Sequence, residues 1–165
     1  MDQLETGERV RTGDGAFSDV VMWTHRDAGW RGRNYVRVAL ADGQSLVAAA
    51  GHLVYVWRQG REAREVRAVE HVRAGDGMLA VRKGAAGGSA VVRVEAVDRV
   101  AAAGLFNPQT LHGDIVVDGV LATCYTKAVD MRVAHALLAP VRCAARILTA
   151  SAWQLRSADA RVARN

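Results

Sequence analysis

The chain has 165 residues, of which 50% are hydrophobic and 24% are charged, with a formal net charge of +5 and two cysteines. This length is enough for one domain with a sizeable core or for two small lobes. Two cysteines exclude a disulfide-built scaffold, no apolar run is long enough to span a bilayer, and residues 1–5 show no signal peptide.

Residues 1–130 are predicted to be a series of short β-strands separated by turns. Their apolar or alternating runs are typical of strands, and Asp-Gly pairs between them are typical of tight turns. The predicted strands are 8–12, 16–24, 34–40, 44–48, 52–58, 63–67, 77–82, 90–99 and 114–125. The Asp-Gly pairs begin at Asp14, Asp42, Asp76 and Asp118, and a glycine-rich loop covers residues 84–89. This pattern predicts an all-β fold rather than a βαβ array.

The chain resembles itself at two places. Residues 5–10 resemble residues 73–79, and each stretch is followed by a turn and a β-rich run. Two similar halves would then end in comparable strands, one carrying His52 and the other Cys124. Divergent tandem halves predict a pseudo-twofold β fold with its site on the axis.

His52 begins the strand that we take as the centre of the fold. Leu53, Tyr55 and Trp57 alternate with two valines, which predicts a strand that is buried on both faces. A histidine at its first position has a fixed backbone and a ring that can face a cleft. The alternative is that His52 only caps the strand for structural reasons.

After Tyr125 the pattern becomes helical. Apolar residues fall on one helical face in two stretches, and Pro140 kinks or breaks the helix between them. Residues 131–165 carry six arginines against one aspartate, so the net positive charge of the chain belongs to this tail. The tail is predicted to be an amphipathic helical appendage. Its basic face is either solvated or touches anionic lipid.

Several classes of site have no support in the sequence. The cysteines and the five histidines show no metal-ligand spacing, and neither a phosphate-binding nor a dinucleotide-binding glycine motif is present. We therefore expect no metal and no cofactor. Nucleic-acid binding through the tail is also not expected, because only Trp153 is interleaved with its arginines.

Four stretches of the chain resemble the hedgehog-type Hint domain, an intein-like self-processing module. The most specific is 113–125, which is similar to the family's G-T-I-V-V-D-G-V-L-A-S-C-Y. The others are 17–27, the start of the His52 strand at 51–54, and the A-H…A-P-x-R stretch at 134–142. The resemblance implies a Hint fold with duplicated β lobes over residues 1–130 and a separate helical tail over 131–165.

The resemblance also implies a reaction in two steps. In the family, a cysteine that opens the domain attacks the preceding carbonyl, and an internal thioester forms. A sterol hydroxyl then displaces the thioester, so that the upstream segment leaves as a lipid ester. A histidine in a T-x-x-H motif protonates the departing nitrogen, and an acidic residue activates the sterol. Such chemistry needs a reactive thiolate, an acid that works near neutral pH, and donors for the tetrahedral intermediate.

Carried onto this chain, the resemblance gives six candidate site residues and three departures from the family pattern. His52 would be the general acid, and Cys124, preceded by Thr123, would lie beside the attacking thiol. Met1 aligns after the family's opening strand, so the nucleophilic cysteine is expected to be missing. Ala49 stands in place of the motif threonine. His25 stands at the position of the sterol-activating aspartate, with Asp27 two residues later, and either could act as the base.

These departures leave two classes of function open. The first is an autoprocessing domain that is inactive in this form because it lacks the nucleophile. The second is a non-catalytic Hint-fold module with a structural or binding role. The expected partners are the upstream segment of its own precursor and a sterol or other lipid nucleophile, and the basic tail is a candidate for contact with a membrane surface. Relatives of this type imply a secretory or extracellular precursor.

Overall fold

The computed structural model describes residues 1–58, 63–81 and 89–128, together with a few isolated positions between 133 and 144. Within those residues the chain is almost entirely β-structure. The strands are β1 (Arg9–Arg11), β2 (Phe17–Leu40), β3 (Ser45–Ala49), β4 (His52–Trp57), β5 (Arg64–Ala68), β6 (Gly77–Val81), β7 (Ser89–Thr110), β8 (Asp114–Val117) and β9 (Val120–Thr126). A short 3-10 helix, Val69–His71, follows β5. The predicted all-β class is confirmed.

The strands form a continuous antiparallel network. The order along the main path is β1-β2-β7-β6-β4-β9-β8, while β3 pairs with β2 and β5 pairs with β4. The long strands β2 and β7 pair from Val20 opposite Thr110 to Leu40 opposite Val94, with several shifts of register. Each of them therefore reaches from one lobe into the other.

The predicted strand boundaries were wrong at three places. The predicted strands 16–24 and 34–40 are one strand, β2, because the polar, glycine-containing segment between them pairs with β7 through bulges. The predicted strand 90–99 continues to Thr110 for the same reason. In contrast, the predicted strand 114–125 is two strands. Asp118 and Gly119 both have positive φ, 50° and 85°, as a type I′ hairpin turn requires.

The two similar stretches found in the sequence form the same local structure. Gly7 and Gly75 have φ of 92° and 94°, a conformation that glycine adopts without strain. The amide of Gly7 donates to the carbonyl of Val20, and the amide of Gly75 donates to that of Val94. In return, the amides of Val20 and Val94 donate to the residues that follow the two glycines. The duplicated lobes are thus visible as matching hydrogen-bonded turns.

One apolar core holds these strands together. It is built from β-branched and small side chains, which pack well on pleated sheets. Its buried members are Val36, Val38, Leu40, Leu46, Ala50, Val54, Val56, Val69, Val72, Met78, Ala80, Val94, Val120 and Ala122. Strand β4 contributes alternate valines to this core, so His52 begins a strand that is anchored along its length.

Two predictions fall on segments that the structure does not describe. The glycine-rich loop 84–89 lies outside the described residues except for its last position, and so does the predicted helical tail, 131–165, except for a few positions between 133 and 144. The division into domains at residue 130 therefore stays a prediction. In the part of the chain with described coordinates, no helix has the length and apolarity needed to cross a bilayer.

Replacing Tyr35 with phenylalanine should lower the free energy of unfolding by about 1 kcal/mol. The Tyr35 side chain is buried, and its hydroxyl donates to the Gly104 carbonyl at 2.7 Å across β2 and β7. Without the hydroxyl, a buried carbonyl loses its donor where the register shifts. Chemical denaturation measures the loss. Tyr55→Phe is the matched control, because that half-buried ring packs under the Arg64 guanidinium and the variant keeps the ring. Equal losses in both variants would contradict the prediction.

Candidate active site

His52 is held at the start of β4 by a hydrogen bond from its ring. Nε2 lies 2.8 Å from the carbonyl oxygen of Thr123 on β9. Since a carbonyl oxygen only accepts, Nε2 carries the hydrogen of the neutral ring, and Nδ1 carries the lone pair. The ring is half-buried. His52 thus presents a fixed proton-accepting atom, Nδ1, rather than a freely rotating side chain.

The segment of β9 that faces His52 is a bulge. Val54 pairs with Ala122 and His52 pairs with Thr126, so three residues of β9 stand opposite the single residue Leu53. The hydroxyl of Thr123 donates to the carbonyl of Leu53 at 2.7 Å and accepts from the amide of Tyr125 at 3.1 Å. Bulges of this kind re-aim side chains next to active sites. Thr123 therefore fixes the shape of the bulge as well as the orientation of His52.

Cys124 lies in the middle of this bulge and is buried, with 1% of its surface exposed. Its amide donates to the Gly113 carbonyl at 3.0 Å, and its Sγ is 3.5 Å from the Thr110 hydroxyl. These contacts come from the last residue of β7 and from the turn that joins β7 to β8. The structure thus places the two most specific sequence candidates, His52 and Cys124, on paired strands.

A cleft of about 290 Å³ opens beside the bulge. Three of the sequence candidates, His25, Ala49 and His52, contribute to its wall, and Met1 lies at its edge. Residues 102–107 of β7 line it as well. Met1 thus lies at the same cleft as the two histidines.

Asp27 has a different place. One of its carboxylate oxygens accepts from the amides of Gly29 and Trp30 at 2.8 and 3.1 Å, so that it stabilises the exposed irregular segment of β2 where the register against β7 shifts. Asp27 does not line the cleft that holds His25. Of the two residues that the sequence offered as the activating base, only His25 shares a cleft with His52.

Burial lowers the pKa of His52, and its hydrogen bond to the Thr123 carbonyl opposes that shift. Loss of solvent disfavours the charged ring. The ring is therefore neutral at pH 7 and can first accept a proton at Nδ1 and then donate it. This is the behaviour that a general acid of a two-step acyl transfer requires.

The depressed pKa of His52 should also make the protein less stable in mild acid. The unfolded chain binds a proton near pH 6.5 whereas the folded ring does so only at lower pH, so stability falls as pH drops below about 6.5. His52→Gln should remove this part of the dependence, up to about 1.4 kcal/mol per pH unit. Thermal unfolding of both proteins between pH 7.5 and 5, with Gln3→Ala as a surface control, measures it. An unchanged slope in His52→Gln would contradict the assignment.

Sequence reasoning missed a polar trio formed by Thr24, Asn107 and Gln109, of which Asn107 lines the same cleft. Asn107 and Gln109 are buried near the end of β7, and both side-chain amides donate to the Thr24 hydroxyl, at 2.7 and 3.3 Å. The only signal in the sequence was two amide residues flanking Pro108 after the apolar stretch of residues 100–106. Thr24 gave no signal, because its position depends on a bulge in β2.

A family model described as the Hint module matches residues 1–162. Sonic hedgehog protein of Danio rerio is 33% identical over 149 residues, which cover 86% of this chain and 35% of that protein. Protein hedgehog of Drosophila virilis is 30% identical over 168 residues, which cover 96% of this chain and 34% of that protein. The chain thus spans about a third of the length of these curated relatives.

Solved inteins have the same fold. The MchDnaB-1 intein superimposes with a TM-score of 0.55 and 22% identity, and covers 74% of this chain and 87% of its own. The gp41-1 intein superimposes with a TM-score of 0.53 and 9% identity, covering 73% and 83%. At these identities the likeness concerns the fold alone, and it agrees with the duplicated lobes described above.

Proposed function

We propose, since this chain belongs to the Hint module family, that it is the self-processing domain of a longer precursor. Its reaction would convert the peptide bond before an opening cysteine into a thioester and then release the upstream segment. The observation that carries this proposal is the fixed His52 ring, whose Nε2 is bound by the Thr123 carbonyl at one wall of the cleft. A non-catalytic role would not require an oriented, neutral imidazole there.

The geometry of His52 supports the following first step. With Nε2 occupied, proton transfer takes place at Nδ1. The neutral ring takes the proton of the attacking thiol, and the resulting thiolate attacks the carbonyl carbon. The imidazolium then returns its proton to the departing amide nitrogen, which cannot leave as an anion. One histidine thus serves as base and acid in turn.

Cys124 and Thr123 would act as positioning residues in this scheme. The Cys124 thiol is buried in the bulge beside Thr110, and its amide is bound to the Gly113 carbonyl. These contacts fix the two backbone carbonyls, of Thr123 and Cys124, that bind the ring of His52 and the amide of Gln109. The bulge is therefore the frame on which the reacting groups are oriented.

His25 is the proposed base of the second step. It pairs with Asn107 across β2 and β7, and both residues line the cleft. A histidine can accept a proton at neutral pH, so it can replace a carboxylate in activating a nucleophile. The upstream segment of its own precursor is the proposed partner in the reaction. A lipid acceptor and contact of the tail with a membrane surface are further proposals from the resemblance.

A fusion tests the proposed function. A reporter, followed by the Gly-Cys opening strand of a relative, is joined ahead of Met1, and release is followed by gel after dithiothreitol is added. Thiol-dependent release is expected, because the thiol intercepts a thioester. Two matched fusions should release nothing: one with serine in place of the introduced cysteine, and one with the reporter joined directly to Met1. Absence of release from the cysteine fusion would favour the non-catalytic module.

A further inference from the structure

The turn that joins β3 to β4 has its backbone bound by three other parts of the chain. The amide of Ala50 donates to the carbonyl of Asn34 on β2 at 2.9 Å, and its carbonyl accepts from the amide of Glu70 at 3.2 Å. The carbonyl of Gly51 accepts from the amide of Lys127 at 2.8 Å. The two residues that precede the histidine of the proposed site are therefore fixed from several sides.

The side chains around this turn are joined to one another. Oε1 of Glu70 accepts a hydrogen bond from the Lys127 ammonium, and Oε2 lies 3.7 Å from the guanidinium of Arg99. The same guanidinium donates to Asn34 Oδ1 at 3.1 Å. The methylene stem of Lys127 covers Gly51 so closely that a Cβ there would lie 3.1 Å from the lysine Cγ. These four polar side chains form a belt around the turn.

Glu70 is the centre of this belt. It follows Val69 on the 3-10 helix, and the Val69 side chain is fully buried in the core. The Glu70 side chain is only 17% exposed, whereas those of Lys127 and Arg99 are 58% and 66% exposed. The Lys127 ammonium, which donates to the carboxyl, holds the pKa of Glu70 below its ordinary value, so the group is charged at neutral pH. One carboxylate anchored at the core thus binds two exposed cations.

The belt bears on the His52 ring through the end of β9. The ring is bound to the Thr123 carbonyl, while Lys127, four residues further along the chain, is bound to the carbonyl of Gly51 directly before the histidine. The ring and the backbone at His52 are thus held at the two ends of one short segment. Elements with few contacts open locally at their ends. If the end at Lys127 separated from the turn, the histidine backbone would shift against the Thr123 carbonyl, and Nδ1 would lose its fixed direction.

We propose that Glu70 is a positioning residue for the first step of cleavage, an inference that rests on the proposed function. By binding Lys127, it keeps the end of β9 against the turn and so holds His52 in the orientation in which Nδ1 meets the attacking thiol. Glu70 does not line the cleft and acts only through the histidine. Orientation of this kind matters because a small displacement of a catalytic group slows a reaction.

Single-turnover cleavage of the cysteine fusion at saturating dithiothreitol tests the proposal. Glu70→Gln keeps the shape of the side chain but removes its charge. It should slow release about fivefold, the upper range for one exposed ion pair. Lys127→Met keeps an apolar stem over Gly51 and should be slowed to the same extent. Lys127→Arg restores the cation and should release the reporter at the rate of the parent.

Two further comparisons separate positioning from a general loss of stability. Glu65→Gln is the matched control, because Glu65 forms an ion pair with Arg67 on β5 at 2.9 Å and its side chain is 24% exposed. It should cleave like the parent at a temperature where circular dichroism shows every variant to be folded. Since Glu70 and Lys127 act through one contact, the double variant Glu70→Gln, Lys127→Met should be no slower than the slower single variant.

Nuclear magnetic resonance follows the orientation of His52 without any cleavage. The ring hydrogen on Nε2 is bound to the Thr123 carbonyl, so it should exchange slowly with water and give a signal that His52→Gln removes. In Glu70→Gln and Lys127→Met this hydrogen should exchange about fivefold faster, as the same ion pair is lost. In Glu65→Gln it should exchange as in the parent.

Each outcome decides the proposal. Cleavage of Glu70→Gln at the parent rate overturns it, as does equal slowing in Glu65→Gln or a Lys127→Arg fusion as slow as Lys127→Met. If dithiothreitol releases nothing from the parent fusion, the proposed function fails, and the ring-hydrogen exchange alone decides whether Glu70 positions His52. Unchanged exchange in Glu70→Gln overturns that positioning too. Should Glu70→Gln not fold, Lys127→Met against Lys127→Arg supplies the same comparison.

Discussion

Replacing His52 with alanine should slow thiol-dependent cleavage of the cysteine fusion by about 10²–10⁴-fold, the usual contribution of a general acid–base residue. Among the described residues that line the cleft, His52 is the histidine whose ring nitrogen is hydrogen-bonded to a backbone carbonyl. The variant removes both proton transfers of the first step, from the thiol and to the departing nitrogen. Residual activity would remain, because a fraction of the introduced cysteine loses its proton to solvent and can still attack as a thiolate.

Two controls separate this loss from damage to the fold. His71→Ala changes an exposed histidine on the 3-10 helix and should cleave like the parent. His52→Gln keeps a side-chain donor that can reach the Thr123 carbonyl, but it has no group that titrates. It should therefore fold like the parent and cleave as slowly as His52→Ala. If His52→Ala cleaves at the rate of the parent, the histidine only caps the strand.

The all-β fold could be predicted from the sequence because short local residue patterns indicate its turns. Asp118-Gly119 shows this well, since the dipeptide signals a tight turn and both residues do have positive φ. The strand prediction across 114–125 ignored that signal in favour of a continuous apolar run. Local turn preference proved the better guide, because two strands can share one apolar pattern when the turn between them is short.

The long strands could not be predicted in the same way. The middle of β2, residues 25–33, is exposed, polar and interrupted by two glycines, which locally indicates a loop. It is a strand because β7 pairs with it through several bulges. That pairing joins positions 70 to 82 residues apart, from Gly32 with Ala102 to His25 with Asn107, and no short window of sequence contains both partners.

Dependence on long-range pairing also explains why only some residues of the candidate site could be found from the sequence. His52 and Cys124 were found because each lies within a short motif that resembles the family's. Thr24, Asn107 and Gln109 were not found, because their meeting depends on the register of β2 against β7 and on the bulge at Thr24. Asp27 was given equal standing with His25 in the sequence, although only the fold shows which of them faces the cleft.

The position of Ala49 shows what the family's threonine would supply. Ala49 ends β3, pairs with Tyr35 on β2, and lines the cleft three residues before His52. Its methyl group offers no hydrogen bond to a substrate peptide. A threonine at this position would place a hydroxyl at the same wall, where it could bind the scissile peptide and hold it for attack. A β-branched residue also suits a strand.

Ala49→Thr should therefore speed thiol-dependent cleavage of the cysteine fusion by about ten- to a hundred-fold, which corresponds to one positioned hydrogen bond of roughly 1–3 kcal/mol in the transition state. Ala49→Val is the matched control, since valine has nearly the same shape as threonine but no hydroxyl. It should cleave at the rate of the parent, and single-turnover rates at saturating dithiothreitol measure both variants. An equal acceleration in Ala49→Val would show that the gain comes from packing. A threonine variant no faster than the parent would show that the substrate peptide does not pass this wall of the cleft.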